Sequence, residues 1–185
     1  MSRSTSHSTI RAVLTIRAAA GHAAAIFAVD DLLAKQRIEH LFVGSVARAA
    51  WLGGLVDVGS IDVLGLMQSQ QKNNVAMMAG NRGFHVDRDE VERTAELDLV
   101  PLAFGGVRVH VLVASNALYA RMFAAARPAQ CGDGEVRVPG AEDLALLLTM
   151  SEDDDAVQRL AARPEFDRAL YNEKLTSIGL ARYTA

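Results

Sequence analysis

The stretch 97–113, in which Gly105-Gly106 separates two apolar runs, constrains the fold more than any other segment. Two such runs joined by a pair of glycines read as a β-hairpin, because its tight turn needs positive φ at both central positions. In the return strand Val107, Val109, Val111 and Val113 alternate with Arg108, His110 and Leu112. Successive strand side chains point to opposite faces, so the valines share a core face and His110 points to the other. Counting outward from the turn, Phe104 faces Val107 and Asp98 faces Val113, on the side opposite His110. Pro101 cannot donate to a ladder and marks an edge or a bulge.

The flanking segments supply helices and further strands. Ala24, Phe27, Ala28, Leu32 and Leu33 recur at helical spacing, which predicts a helix over 21–35. His40 to Val43 is a short apolar run stopped by Gly44, a buried strand. Ser45 is placed to cap the next helix, whose apolar face includes Val46, Ala50 and Trp51 and which ends at Gly53-Gly54. A second apolar strand covers 61–67, and the polar segment 68–81 reads as a helix. Beyond Ser115 the pattern is helical over 117–126, 141–150, 151–162 and 165–177. One short strand, 135–138, lies between the turns Gly132-Asp133-Gly134 and Pro139-Gly140. The expectation is one α/β (α+β) domain: a flexible tail at 1–9, a core over 10–115 and a mainly helical extension over 116–185.

Composition excludes several classes. A net charge of −3 argues against broad electrostatic capture of nucleic acid, which needs a basic face. Cys131 is alone, so no intrachain disulfide can form. No apolar run is long and clean enough to span a membrane. Residues 1–29 hold no Asp or Glu, while Arg3, Arg11 and Arg17 interrupt a Ser/Thr-rich and then Ala-rich run. That composition resembles an organellar transit peptide, but a tail followed by an amphipathic helix is the plainer reading. A cytoplasmic location is expected.

Strand, then Gly44-Ser45, then helix, then a strand bearing Asp62 is an order with a chemical use. Glycine lets a phosphate approach the backbone, and a helix N-terminus offers unpaired N–H groups and a positive dipole end. An Asp on the neighbouring strand can hold a divalent metal against a triphosphate.

Phe42-Val43-Gly44-Ser45-Val46-Ala47-Arg48, followed by Ser60-Ile61-Asp62-Val63-Leu64, resembles the signature of the nucleotidyltransferase superfamily that includes DNA polymerase beta. Arg82-Gly83-Phe84, the strand 107–112 and Val138-Pro139-Gly140-Ala141-Glu142-Asp143-Leu144 resemble later family segments in the same order. The likeness is nearest to the abortive-infection or toxin-like branch. It implies a mixed sheet flanked by helices, with Gly44, Ser45, Arg48 and Ser60 at the nucleotide. It also implies Asp62 as the catalytic carboxylate and Asp62 with His110 at the metal.

The departures fall on the chemistry. The family's Asp-x-Asp reads Ser60-Ile61-Asp62, and its third acid falls at His110. Val56 and Val58 stand where Arg and Thr are common, Leu148 where a Lys is common, and 53–58 is an insertion. Two-metal transfer needs several carboxylates, and neutral imidazole suits Mg2+ poorly. The expected function is therefore a nucleotidyltransferase-like protein with a degenerate site, impaired in catalysis, that binds a nucleotide or a protein partner. The alternative is an active Mg2+-dependent enzyme moving a nucleoside monophosphate from an NTP to a hydroxyl; an unrelated α/β domain with a chance Gly-Ser turn is the third reading.

Other residues draw plainer readings. Asp57 reads as a solvated loop acid, and His40 and His85 as strand-end polar groups. Asp153, Asp154 and Asp155 complement a helix dipole. Met67, Met77 and Met78 read as core, and Cys131 as a thiol without a paired base.

Overall fold

Gly105 and Gly106 take φ of 56° and 83° and join β5 (Leu99–Phe104) to β6 (Val107–Val113) in the expected register, with Phe104 opposite Val107 and Pro101 opposite His110. This computed structural model describes residues 13–94 and 96–183. The hairpin belongs to a mixed sheet with β2 (His40–Phe42) and β4 (Ile61–Gly65), in the order β2-β4-β6-β5. The pair β4 and β6 is parallel, and the two outer pairs are antiparallel. Pro101 therefore lies on an edge strand, where a missing N–H costs no ladder bond.

The sheet is apolar on both faces, but unequally. Val63, Val100, Leu102, Val109, Val111 and Val113 are all buried on one face. Against these strands packs α1 (Ala20–Lys35), itself in contact with α3 (Lys72–Gly80). On the opposite face Leu41 and Leu64 are buried, while Asp62 and His110 are half-exposed. The helix α2 (Gly44–Leu52) runs between β2 and β4 and meets the sheet at Asp62.

A second sheet, with the order β3-β1-β7-β8, differs from the sequence expectation. Residues 14–18, expected to lead into an amphipathic helix, form β1 (Leu14–Ala18), with Leu14 and Ile16 buried and Thr15 and Arg17 exposed. The insertion contributes β3 (Leu55–Val56), and β7 (Arg127–Cys131) pairs with both β1 and β8 (Gly134–Val138). The C-terminal part thus places two strands beside β1 as well as its helices. The reading of 1–9 as a flexible tail lies outside the described residues.

Helices α4 (Arg88–Arg93) and α5 (Ala117–Ala124) precede and follow the hairpin in sequence, and α6 (Ala141–Met150), α7 (Asp154–Ala161) and α8 (Arg168–Ser177) complete this side. Trp51 ties α2 to them: its Nε1–H donates to Pro139 O at 2.9 Å, and Arg163 lies over its ring. Asp153 caps α7 by accepting from Ala156 N–H, as expected of acids at a helix start. Among the described residues no helix is long and apolar enough to cross a membrane. Met67 is buried, but Met77 is 61% exposed, a correction to its reading as core.

Candidate functional site

The site begins where β2 turns into α2. Val43 is extended, supplies no side-chain cap, and donates its N–H to Asp62 O at 2.9 Å. Ser45 was expected to cap this helix, but the helix begins one residue earlier, at Gly44. The Ser45 hydroxyl instead donates to Ser60 O at 3.1 Å, pinning α2 to the segment entering β4. The first turn holds no acidic residue of its own and no capping side chain, and its positive end faces the Asp62 carboxylate.

Gly44 is required here twice. Its φ of +54° is left-handed, and a Cβ at this position would lie 2.6 Å from Asp62 Oδ2. The chain accepts a carboxylate against the helix N-terminus only because no side chain intervenes.

Asp62 has a defined set of partners. Ser60 Oγ donates to its Oδ1 at 2.8 Å, and His110 Nδ1 lies 2.9 Å from the same oxygen. The parallel register places Asp62 directly beside His110, which is why the two meet. Their side chains are 28% and 30% exposed. Burial raises the Asp62 pKa, but hydrogen bonds from His110 and Ser60, with the His110 charge, hold it on balance below the ordinary 3.8. No hydrogen bond reaches Oδ2 among the described residues.

A depressed folded pKa means that the ionised form favours the fold. The contribution is fully present above the unfolded value of about 3.8 and disappears as pH falls through the lower folded value. Asp62→Asn should therefore flatten the loss of stability on acidification below about pH 4, measured as the urea midpoint. An unchanged acid profile would show that the Asp62 hydrogen bonds do not operate in solution.

The structure thus brings together Gly44, Ser45, Ser60, Asp62 and His110. It does not bring Arg48 to them: Arg48 Nη1 donates to Asp153 Oδ2 at 2.7 Å, a pairing between α2 and α7 that local sequence could not reveal. Asp57 is exposed in the loop before β4. Asp98 lies opposite Val113, as counted from the hairpin, and accepts from Ser69 and Ser115 instead. His40 is held by Asp30 and Ile38 O, a structural role at the strand start. Cys131 is 1% exposed, and burial pushes its thiol up, away from reactivity.

Among the described residues no three His, Cys, Asp or Glu side chains are grouped to hold a metal ion. Asp62 Oδ2 is the only carboxylate oxygen this cluster would offer a divalent ion, whose remaining ligands would have to come from outside these side chains. The donor set does not fit two ions, because Ser60 is neutral and His110 directs Nδ1 at the carboxylate. Cavities of about 720 and 890 Å³ lie elsewhere, the first lined by Asn73, Asn81 and Phe84, the second by Met67, Ser69 and Ser115.

No family model matches the chain, and no curated protein matches it. Among solved structures it is similar to the lincosamide antibiotic adenylyltransferase LnuA with lincomycin bound, at 11% identity, covering 74% of this chain and 94% of that one, with a TM-score of 0.49. It is similar to a putative nucleotidyltransferase from Thermotoga maritima, at 14% identity, 77% and 94% coverage and a TM-score of 0.48. A third is ANT(2")-Ia in complex with adenylyl-2"-tobramycin, at 16% identity, 85% and 90% coverage and a TM-score of 0.46.

Proposed function

We propose that this chain is a nucleotidyltransferase-like protein that binds a nucleoside triphosphate at the N-terminus of α2 and is impaired in transferring it. One observation supports this reading above the others. The seat beside Gly44 is furnished by one carboxylate, Asp62, whose Oδ1 is taken by Ser60 and His110. The uncapped first turn of α2 attracts phosphate through its N–H groups. Asp62 alone would repel that phosphate, so its free Oδ2 is the group that shares a Mg2+ with it. A bound Mg2+ offsets phosphate charge; in-line transfer commonly requires a second ion, for which the donor set is insufficient.

Thermal unfolding in the presence of ATP or GTP with Mg2+ tests the reading. Ligand at about 100 times its Kd should stabilise the protein by about 2.7 kcal/mol, a shift of several degrees. Asp62→Ala should remove the Mg2+ dependence of that shift, and Arg48→Ala should leave it unchanged. No shift with any nucleotide would overturn the proposal in favour of a protein-binding relative.

A further inference from the structure

The parallel register of β4 and β6 places a cation beside the start of α2. Arg108 precedes His110 by two residues, so its side chain leaves β6 on the face that carries Asp62, while Val109 between them is buried in the core. The first pair of the two strands is Ile61 with Val109, and one residue earlier stand Ser60 and Arg108. At that level Ser45 Oγ donates to Ser60 O at 3.1 Å, and Gly44 abuts Asp62 Oδ2. The first turn of α2 and Arg108 therefore flank Asp62 at one end of β4, the helix from the β2 side and the arginine from the β6 side. Diagonal neighbours on adjacent strands stand about 8 Å apart between Cα atoms, within reach of a long side chain.

Arg108 is exposed and enters no hydrogen bond or ion pair among the described residues. Arg48, the cation that local sequence pointed to, is held by Asp153 instead. Asp62 does not draw Arg108 in, because its Oδ1 is already taken by Ser60 and His110.

We infer that Arg108 binds the polyphosphate tail of the nucleotide seated at α2 and supplies positive charge that a second metal ion would otherwise bring. This rests on the nucleotide-binding reading above and specifies how the same site holds its ligand. A triphosphate carries more negative charge than one divalent ion offsets, and Asp62 adds to the excess. A guanidinium meets that excess with paired N–H donors matched to phosphate oxygens. It has no acceptor and does not give up its proton, so it cannot activate a hydroxyl for attack. Arg108 therefore strengthens binding without restoring transfer.

Calorimetry with ATP and with inorganic tripolyphosphate, each with Mg2+, tests the inference. Arg108→Met should weaken both by about ten- to hundredfold, the worth of charge-assisted hydrogen bonds to a phosphate. Arg108→Lys, which keeps the charge but not the fork, should restore part of the loss. Arg121→Met removes an exposed arginine of α5 that has no partner among the described residues, and should bind both ligands as the unaltered protein does. Without ligand, Arg108→Met should unfold at the unaltered Tm, which separates lost binding from lost folding. Equal ATP affinities of Arg108→Met and the unaltered protein overturn the inference and leave nucleotide binding standing. An ATP loss that tripolyphosphate does not share overturns it too. No binding of ATP to the unaltered protein overturns both.

Discussion

Gly44→Ala should destabilise the protein by about 3 kcal/mol and abolish nucleotide-dependent stabilisation. A left-handed conformation alone costs a side-chain-bearing residue about 1–2 kcal/mol. The added Cβ would also stand 2.6 Å from Asp62 Oδ2, so the carboxylate must move. Moving it loosens the hydrogen bonds from Ser60 and His110, each worth about 1 kcal/mol. Gly53→Ala is the control. Gly53 has a φ of +75° but no atom within 4 Å of its virtual Cβ. That substitution should incur the backbone strain only and leave nucleotide binding intact. Equal effects of the two on binding would mean that contact between Gly44 and Asp62 is irrelevant to the site.

Lys174→Met should lower stability by about 3 kcal/mol, a fall in Tm of about 6–12 °C for a chain of this size. Asp143 is the one charged residue fully buried among the described residues. Lys174 Nζ on α8 meets its Oδ1 at 2.5 Å and is itself largely covered. Removing the lysine leaves a carboxylate in an apolar setting with its charge unmatched, the costly way to break a buried pair. The same helix docks through Tyr171, whose hydroxyl meets Thr149 Oγ1 and whose ring abuts Phe166 and Tyr183. Combining Lys174→Met with Asp143→Asn should cost less than Lys174→Met alone, because the second change removes the stranded charge. Additive losses would show that packing of α8, rather than the ion pair, sets the cost.

The hairpin and the clustering of side chains around Asp62 were legible for the same reason. Strict alternation from Val107 to Val113 and the glycine pair leave one register, and that register alone separates His110 from the core face. Gly44-Ser45 and Asp62 sit at strand ends marked by short apolar runs. The second sheet was hidden by composition. Leu14 and Ile16 alternate with Thr15 and Arg17, but they adjoin an alanine-rich run that continues into α1 and reads as helix. Pro128 argues against an inner strand, yet β1 pairs with β7 only from Ala129 onward, so no ladder bond is lost on that side.

Other features have no local signature at all. Asp143 looks like an ordinary first-turn acid of α6, and its partner is 31 residues away on another helix. Arg48 finds Asp153 across 105 residues. Contacts of this kind are set by how helices stack, which periodicity within either helix does not encode.

On the function proposed above, one carboxylate beside Gly44 supports nucleotide binding without transfer. Equilibrium dialysis with α-labelled ATP and Mg2+, followed by denaturation and recovery of the label, tests both halves in one sample. Label should be held by the native protein, lost in Gly44→Ala, and recovered after denaturation as intact ATP. Label that never associates with the native protein would contradict that function, as would label recovered as a nucleoside monophosphate adduct with pyrophosphate released.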